Sequence, residues 1–291
     1  MSEKRPTLVI TGATGFIGRH IASHFVEHNW HVIALVRNSP DHHLKNILYS
    51  KFDLVTGEEA VIPDTVDVFI HAAYIRNENG VDAFDMNVRG ATQLLQTFKG
   101  KNVKQNLFIS SLSADKNALS VYGRQKAAIE DLFLKENGTV VRAGLVLGDG
   151  GLFDSMRKYL SRKKTIPLFG TGKQPLQTVY IDDLVAGIFQ IVDKNHTGIY
   201  VVATDEPVPY KQFYSDLAKT LGIKPTFIRA PFWLAGMAIG IGNLFGMKLP
   251  VTKDNLLGLK QMKQIPSSAD LKKIGIELRN HKEGFSELTS R

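Results

Sequence analysis

The chain has no cysteine in its 291 residues. Disulfides, cysteine-bound metal and a thiol nucleophile are therefore excluded, and a reducing compartment fits. It also lacks a basic tail. The formal net charge of +8 is scattered, and its densest cluster is RKYLSRKK at residues 157–164. That cluster reads first as a solvated helix face, with an anionic substrate or an anionic membrane surface as alternatives. Aromatic residues are not interleaved with the charge, which argues against nucleic acid binding. The first residues, MSEKRPTLVITGATG, hold no long apolar leader or cleavage site, so the expected location is cytoplasmic. The nine histidines form no metal-ligand constellation, and no nucleophile elbow or Ser-His-Asp order is present.

Long uncharged runs are scarce. One exists, APFWLAGMAIGIGNLFGM from Ala230 to Met247. Its length is at the lower edge of a membrane span, and Gly242-Asn243 interrupts it. A buried or pocket-lining helix is the first expectation, a membrane-surface helix the second and a true span the third.

What the chain does contain is alternation. TLVITGATGFIGRHIASHFVEHNWHVIALVRN reads as strand, glycine turn, helix, strand. Ile17, Ile21 and Phe25 recur at four-residue spacing on one helix face. VDVFIHAAY, NLFISS and TVVRAGLVLG follow as apolar strands, with helices between them. This pattern predicts an α/β fold with a doubly wound parallel sheet. After Gly148 the pattern changes. TVYIDDLVAGIFQIVDK and GIYVVAT return to the sheet, and from Val208 helices, prolines and short loops dominate. The expected division is 1–150 with 175–203 as a nucleotide-binding unit, and 151–174 with 204–291 as a smaller, mostly helical substrate lobe.

TGATGFIG places glycines at 12, 15 and 18 between the first strand and the first helix. Gly12 permits the turn, Gly15 lets backbone N–H groups approach a pyrophosphate, and Gly18 brings helix close to strand. The residue that ends the second strand is Arg37. A guanidinium there suits a 2′-phosphate, which favours NADP(H) over NAD(H).

Tyr122 and Lys126 are four apart in SVYGRQKAAIEDLF and share a helix face. An ammonium beside a phenol lowers the phenol pKa, and such a tyrosine can move a proton at a carbonyl or hydroxyl. FISSLSA supplies Ser110, Ser111 and Ser113 at the ligand-facing end of the preceding strand. Tyr-x-x-x-Lys alone is common. Together with the serine-ended strand and the glycine turn it is specific.

In order along the chain, TGATGFIG, FDL at 52–54, HAAY at 71–74, MNVRGATQLL at 86–95, FISS, YGRQK, VVRAGLVLGDG and VYIDDLVAGI carry a resemblance. The sequence resembles the short-chain dehydrogenase/reductase superfamily, in its extended or atypical NAD(P)-dependent epimerase/dehydratase branch. The resemblance implies a Rossmann fold. It implies that Tyr122 is the catalytic acid/base, that Lys126 tunes it and binds the ribose, and that Ser111 polarises the substrate oxygen, with Ser113 the second choice. Asp53 and Leu54 would border the adenine. Thr14, Phe16 and Ile17 of the turn, with Ala72, Ala73, Tyr74 and Asn87, complete the implied cofactor contacts. Asn87 would anchor the central helix near the site. Arg142 to Val146 would pass beside the nicotinamide, and Asp182 and Asp183 would cap a helix.

Nucleotide-sugar members tend to carry a phosphate-gripping arginine where this chain has Leu176 and Gln177. They often have an asparagine where it has Leu145. Lys173, Arg157 or Arg162 are the available substitutes. The Ser111-to-Tyr122 spacing is also short for an epimerase. The apolar C-terminal part, with its PVTKDNLLGL, looks more like atypical members related to a mitochondrial complex I accessory subunit. That resemblance implies a hydrophobic substrate, a lipid-linked or isoprenoid ketone; the alternative is that the apolar residues, Phe232 and Trp233 included, only pack the lobe. The expected function is therefore NADP(H)-dependent hydride transfer between nicotinamide and a carbonyl or secondary alcohol. A nucleotide-sugar epimerase, dehydratase or 4-ketoreductase is the first alternative, and a non-catalytic NADPH-binding subunit or sensor the second. The expected partner is a small molecule. Membrane-surface contact through 230–247 and a homodimer are further expectations.

Overall fold

The computed structural model describes residues 5–41, 43–56, 61–75, 83–237 and 252–289. Residues 238–247 of the long uncharged run lie outside the described residues. The first half builds β1 (Thr7–Thr11), α1 (Phe16–Glu27), β2 (His31–Val36), β3 (Ile47–Lys51), β4 (Thr65–His71), α2 (Ala83–Lys99), β5 (Asn102–Ser111), α3 (Val121–Lys135) and β6 (Thr139–Ala143). Then come β7 (Leu145–Leu147), α4 (Gly151–Lys163), β8 (Thr165–Phe169), β9 (Pro175–Leu176), β10 (Thr178–Tyr180), α5 (Ile181–Asp193) and β11 (Gly198–Val202). The C-terminal part adds β12 (Val208–Pro209), α6 (Tyr210–Thr220), β13 (Thr226–Ala230), α7 (Lys253–Gln261), α8 (Ser268–Ile274) and α9 (His281–Thr289).

Seven strands form one sheet in the order β11-β6-β5-β4-β1-β2-β3, all parallel. The chain winds outward from β1 to β3, then crosses back to β4 and winds the other way. β1 and β4 are neighbours, so the two halves diverge between them and open a crevice at their C-terminal ends. Both faces are covered. Leu8 and Ile10 enter the core shared with Ile21 and Phe25 of α1 and Leu184 and Ile188 of α5. Val9, between them, enters the opposite core with Leu94 and Phe98 of α2 and Ile129 and Phe133 of α3. A strand buried on both faces needs apolar side chains in both registers, which is why the run is continuous.

Four features depart from the expectations. Residues 47–51 form the outer strand β3, which has no continuous apolar run because only one edge and part of its faces are covered. TVVRAGLVLG is two strands, not one. β6 pairs in the main sheet, whereas β7 pairs with β10. The break is Gly144, where a Cβ would stand 2.7 Å from the Gln177 carbonyl oxygen. The lobe also contains a parallel pair, β8 with β13. Asp182 and Asp183 lie in the first turn of α5 without a side-chain cap at its start. Asp183 instead holds Arg279 by Oδ1 to Nε at 3.0 Å and accepts the Arg279 backbone N–H at 2.9 Å.

The core on the α1–α5 face continues without a break into the lobe. Phe153 of α4, Phe213 of α6 and Phe285 of α9 belong to it. Phe285 stacks on Phe153 with centroids 5.7 Å apart and meets Phe213 edge-on at 5.2 Å. The uncharged run does not follow its first expectation over the part described. Residues 232–237 are helical. Phe232 packs against the small cluster of Phe169, Ala235 and Leu256. Trp233, by contrast, is 67% exposed, and Leu234 and Met237 are exposed beside it. Among the described residues no helix is long and apolar enough to cross a membrane.

Because Phe285 joins three lobe helices to the core under the sheet, Phe285→Ala is expected to destabilise the whole chain by about 3–5 kcal/mol. Urea unfolding followed by both fluorescence and circular dichroism is expected to show one shared transition, shifted to lower urea. Separate transitions would mean that the lobe unfolds on its own.

Candidate active site

The crevice between β1 and β4 is built by backbone contact. Gly12 has φ of 74°, and a Cβ there would stand 2.6 Å from the Ala73 nitrogen and 2.7 Å from the Ala72 carbonyl carbon. The turn closes with Gly15 N–H donating to Gly12 O at 2.9 Å. A Cβ on Gly18 would strike the same Gly12 oxygen. α1 therefore starts close under the strand end. Its N-cap is Gly15, with no side-chain cap and no acidic residue in the first turn. Its first N–H groups and the positive end of its dipole are left for an anion, as a dinucleotide pyrophosphate requires. Thr14 is exposed at this turn, while Phe16 and Ile17 are half-buried. The Phe16 ring fills the space over Gly148 and Gly150, 2.5 Å from where either would carry a Cβ.

The strand ends are fixed by side chains. Thr11 Oγ1 pairs with His71 Nδ1 at 2.7 Å and accepts the Ala73 N–H at 3.3 Å. His71 is fully buried, and burial, then the Lys126 charge, lowers its pKa to about 3. It is neutral at any working pH. Tyr74 stands edge-on to Tyr122, with centroids 5.3 Å apart. Asn87 of α2 is buried and clasps Ile75 from both sides, accepting its N–H and donating to its carbonyl, each at 2.8 Å. At the β3 end, Asp53 Oδ1 accepts the Val55 N–H at 2.8 Å, and Leu54 packs where Gly90 of α2 leaves room.

A cavity of about 360 Å³ lies over the ends of β2 and β3, lined by Val36, Arg37, Asn38, Ser39, Tyr49 and Lys51. Two cations thus border the place where the second strand ends.

Ser111 at the end of β5 lies close to Tyr122 and Lys126 of α3. Strand alternation sorts the serines. Ser110 is buried and donates to Glu130 at 2.5 Å. Ser111 points the other way, toward the Tyr122 phenol, whose pKa it lowers. Ser113 is exposed, and its backbone N–H donates to Ser111 Oγ at 3.2 Å. Ser120 caps α3 by accepting the Gly123 N–H at 3.1 Å, so Tyr122 sits in the first helical turn. Lys126 is one turn on and buried. Its Nζ donates to the Ile109 carbonyl at 2.9 Å and lies 4.6, 5.4 and 5.8 Å from the ring centroids of Phe108, Tyr74 and Tyr122.

The electrostatics correct one expectation. Spacing alone predicts a lowered Tyr122 pKa, but the phenol is raised, because burial outweighs the opposing effect of Ser111. The ammonium itself is under pressure. Burial lowers Lys126 to about 8, and the Glu130 carboxylate works against that fall.

Glu130 was not singled out by the sequence reading. It lies one turn beyond Lys126, so Tyr122, Lys126 and Glu130 form a stripe at four-residue intervals. Buried at 3% exposure, it takes Arg142 in a two-pronged pair, Nε to Oε1 at 2.9 Å and Nη2 to Oε2 at 2.6 Å. Arg142, expected to run beside the nicotinamide, is committed to this pair, which raises its pKa.

The substitutes for a phosphate-gripping arginine are also accounted for. Leu176 is in the core. Gln177 is buried, its Nε2 donating to Thr204 O and Ile265 O at 2.8 Å each and its Oε1 accepting the Ile265 N–H at 2.8 Å. Arg157 is closed on Asp149 and Asp154, each at 2.7 Å. Lys173 and Arg162 are exposed. Among the described residues no His, Asp and Glu cluster has a metal-holding arrangement.

Glu130→Gln removes the field that keeps the proton on Lys126 and leaves the Arg142 guanidinium without its carboxylate. Both changes drive the amine further below about 8, by on the order of one pH unit. The ammonium that would stabilise a Tyr122 phenolate is then lost at a lower pH. Titration of Lys126 by NMR in lysine-labelled protein checks this, with an unchanged midpoint as the contrary result.

Comparison with known proteins agrees with this geometry. The model of the NAD dependent epimerase/dehydratase family matches residues 8–203. A ceramide reductase from Caulobacter vibrioides is 24% identical over 246 residues, covering 79% of this chain and 75% of that protein. A 4-hydroxy-2-methyl-3-oxo-4-farnesyl-3,4-dihydroquinoline-1-oxide ketoreductase from Stigmatella aurantiaca is 25% identical over 263 residues, covering 80% and 79%. Other relatives are named as nucleotide-sugar epimerases and dehydratases. The solved UDP-glucuronic acid 4-epimerase from Bacillus cereus, in complex with UDP-glucuronic acid and NAD, shares the fold at a TM-score of 0.73 and 17% identity, covering 98% of each chain. The chain belongs to the NAD dependent epimerase/dehydratase family, and it is an enzyme with a nicotinamide-cofactor site.

Proposed function

We propose that the enzyme is an NADP(H)-dependent oxidoreductase that interconverts a carbonyl and a secondary alcohol on a hydrophobic substrate. The observation that carries this over a nucleotide-sugar reaction is the fate of Leu176, Gln177 and Arg157. Leu176 and Gln177 are buried in structural roles and Arg157 is neutralised by two carboxylates. A diphosphate placed beside them would find none of these three offering an unpaired cation, and burying an unpaired charge is costly. Two relatives named as reductases act, by their names, on a ceramide and on a farnesylated quinoline oxide, which supports a lipophilic ketone.

The nicotinamide, when bound, supplies the hydride to the carbonyl carbon. Ser111 lies near enough to the Tyr122 phenol to lower its pKa, so both hydroxyls can address one substrate oxygen. Tyr122 gives that oxygen its proton as the C–H bond forms and the C=O bond becomes single. Lys126 stabilises the phenolate left behind, which regains a proton from solvent. Tyr74 and Phe108 keep water from the ammonium. In the oxidative direction each transfer is reversed.

The preference for NADP(H) rests on Arg37 and Lys51 at one cavity, with no acidic residue among its lining. A ribose 2′-hydroxyl would want a carboxylate there, whereas a 2′-phosphate wants cations. Contact with a lipid surface is part of the same reading. Ile228, Trp233, Leu234 and Met237 are exposed on the lobe, adjacent in sequence to the uncharged residues 238–247, and Lys224 and Arg229 are exposed close by in sequence. Such a surface suits a substrate drawn from an anionic bilayer.

The test is NADPH consumption with two ketone panels, one of hydrophobic or lipid-like ketones and one of 4-keto nucleotide sugars. Turnover is expected in the first, and Tyr122→Phe is expected to lower kcat by roughly 10²–10⁴-fold. Turnover confined to the second panel would install the nucleotide-sugar reading instead. Arg37→Glu is expected to weaken NADPH by at least about tenfold while leaving NADH little changed. Equal losses for both cofactors would remove the NADP(H) preference.

A further inference from the structure

The helix that carries Tyr122 begins with donors that its own first turn does not satisfy. Ser120 takes only the Gly123 N–H. The N–H groups of Val121 and Tyr122 donate instead to the two oxygens of Asp254, at 2.6 and 3.2 Å. Asp254 is 132 residues further along, in the first turn of α7. The PVTKDNLLGL segment therefore does more than pack the lobe.

We infer that Asp254 is a positioning residue, through which the C-terminal lobe latches the first turn of α3 and fixes Tyr122 against Ser111. Its carboxylate neutralises the positive end of α3 and bonds the backbone of Tyr122 itself. The latch is held rigid at its base. Thr252 and Asn255 form a reciprocal capping box that sets the first turn of α7, with Asn255 N–H to Thr252 Oγ1 and Thr252 N–H to Asn255 Oδ1 at 3.1 Å each. Two further contacts join the same partners. Gln261 at the end of α7 accepts the Leu119 N–H, and Lys263 bonds Asp115 at 3.2 Å. On its other side α7 buries Leu256 against Phe169 and Ala235, with Phe232 packed on that cluster. A continuous path thus leads from the apolar lobe helix at 232–237, through Leu256 and Asp254, to the backbone of Tyr122.

The inference rests on the proposed role of Tyr122, but its first readout does not. Amide exchange at Val121 and Tyr122 is measured in the full chain with NADPH, for the parent and for Asp254→Ala, Asp254→Asn and Lys263→Ala. Exchange at those two amides is expected to speed up by about tenfold in Asp254→Ala and to be largely restored in Asp254→Asn, whose side-chain oxygen still accepts. Lys263→Ala, which breaks only an exposed contact, is expected to leave it unchanged. In the same series kcat is expected to fall about tenfold in Asp254→Ala with the KM for NADPH unchanged, and to recover in Asp254→Asn. Unaltered exchange in Asp254→Ala overturns the latch, and faster exchange with unaltered kcat overturns its positioning role. Absence of turnover in the parent counts against the proposed reaction alone, and the latch then stands or falls on the exchange rates.

Discussion

An ammonium held among aromatic rings is the constraint around which the site is organised. Lys126 has one direct hydrogen-bond acceptor, the Ile109 carbonyl, and three aromatic faces around it. Left at that, burial would strip its proton near neutral pH. The carboxylate of Glu130 offsets the penalty, and being buried it needs its own compensation. Arg142 and Ser110 provide it. The chain of requirements thus runs from β6 through α3 to β5, and the three elements cannot slide without breaking it. His71 closes the other side. It is neutral and hydrogen-bonded to Thr11, so it adds no second positive charge beside the lysine.

This explains why some of the site was legible in the sequence and some was not. The glycine turn is a local device. Its three glycines meet obstacles within a few residues or at the adjoining strand, and their spacing alone encodes that. Tyr122 and Lys126 are likewise on one helix, where spacing is geometry. Glu130 continues the same stripe and was within reach of the same reasoning. Arg142 was not, since its partner is set by which strand lies beside β5. Asp254 was further out of reach. A capping carboxylate is recognised in sequence by its position just ahead of a helix, and this one arrives from another part of the chain. Asp183 failed in the opposite way. It has the position of a helix-start acid, but Arg279 from the C-terminal segment claims it.

The fold shows the same division. Strands buried on both faces announce themselves as continuous apolar runs, as in β1, β2 and β4. The edge strand β3 does not, because its burial is partial, and the break between β6 and β7 depends on a single backbone approach at Gly144. Trp233 is the clearest case of composition misleading. An apolar helix face is expected to seek the core, yet Phe232 and Ala235 suffice to seat this one and Trp233 is left outside.

The partly buried charges of the sheet and the lobe bear on what the lobe receives. Among the described residues, Arg124 is partly buried and donates to the Ala118 and Leu119 carbonyls. Arg142, Arg157 and Arg279, also partly buried, are each closed on a carboxylate: Glu130, Asp149 with Asp154, and Asp183. To grip a phosphate, any of them would have to surrender a formed pair and leave a carboxylate partly buried and uncompensated, the expensive half of breaking such a pair. The exposed cations of the lobe carry no such cost, but singly and in water they hold an anion only loosely. A positively charged protein can therefore lack an internal anion site for its substrate. The described lobe also presents exposed apolar surface at Ile228, Trp233, Leu234 and Met237, and that is the physical argument behind the proposed lipophilic carbonyl.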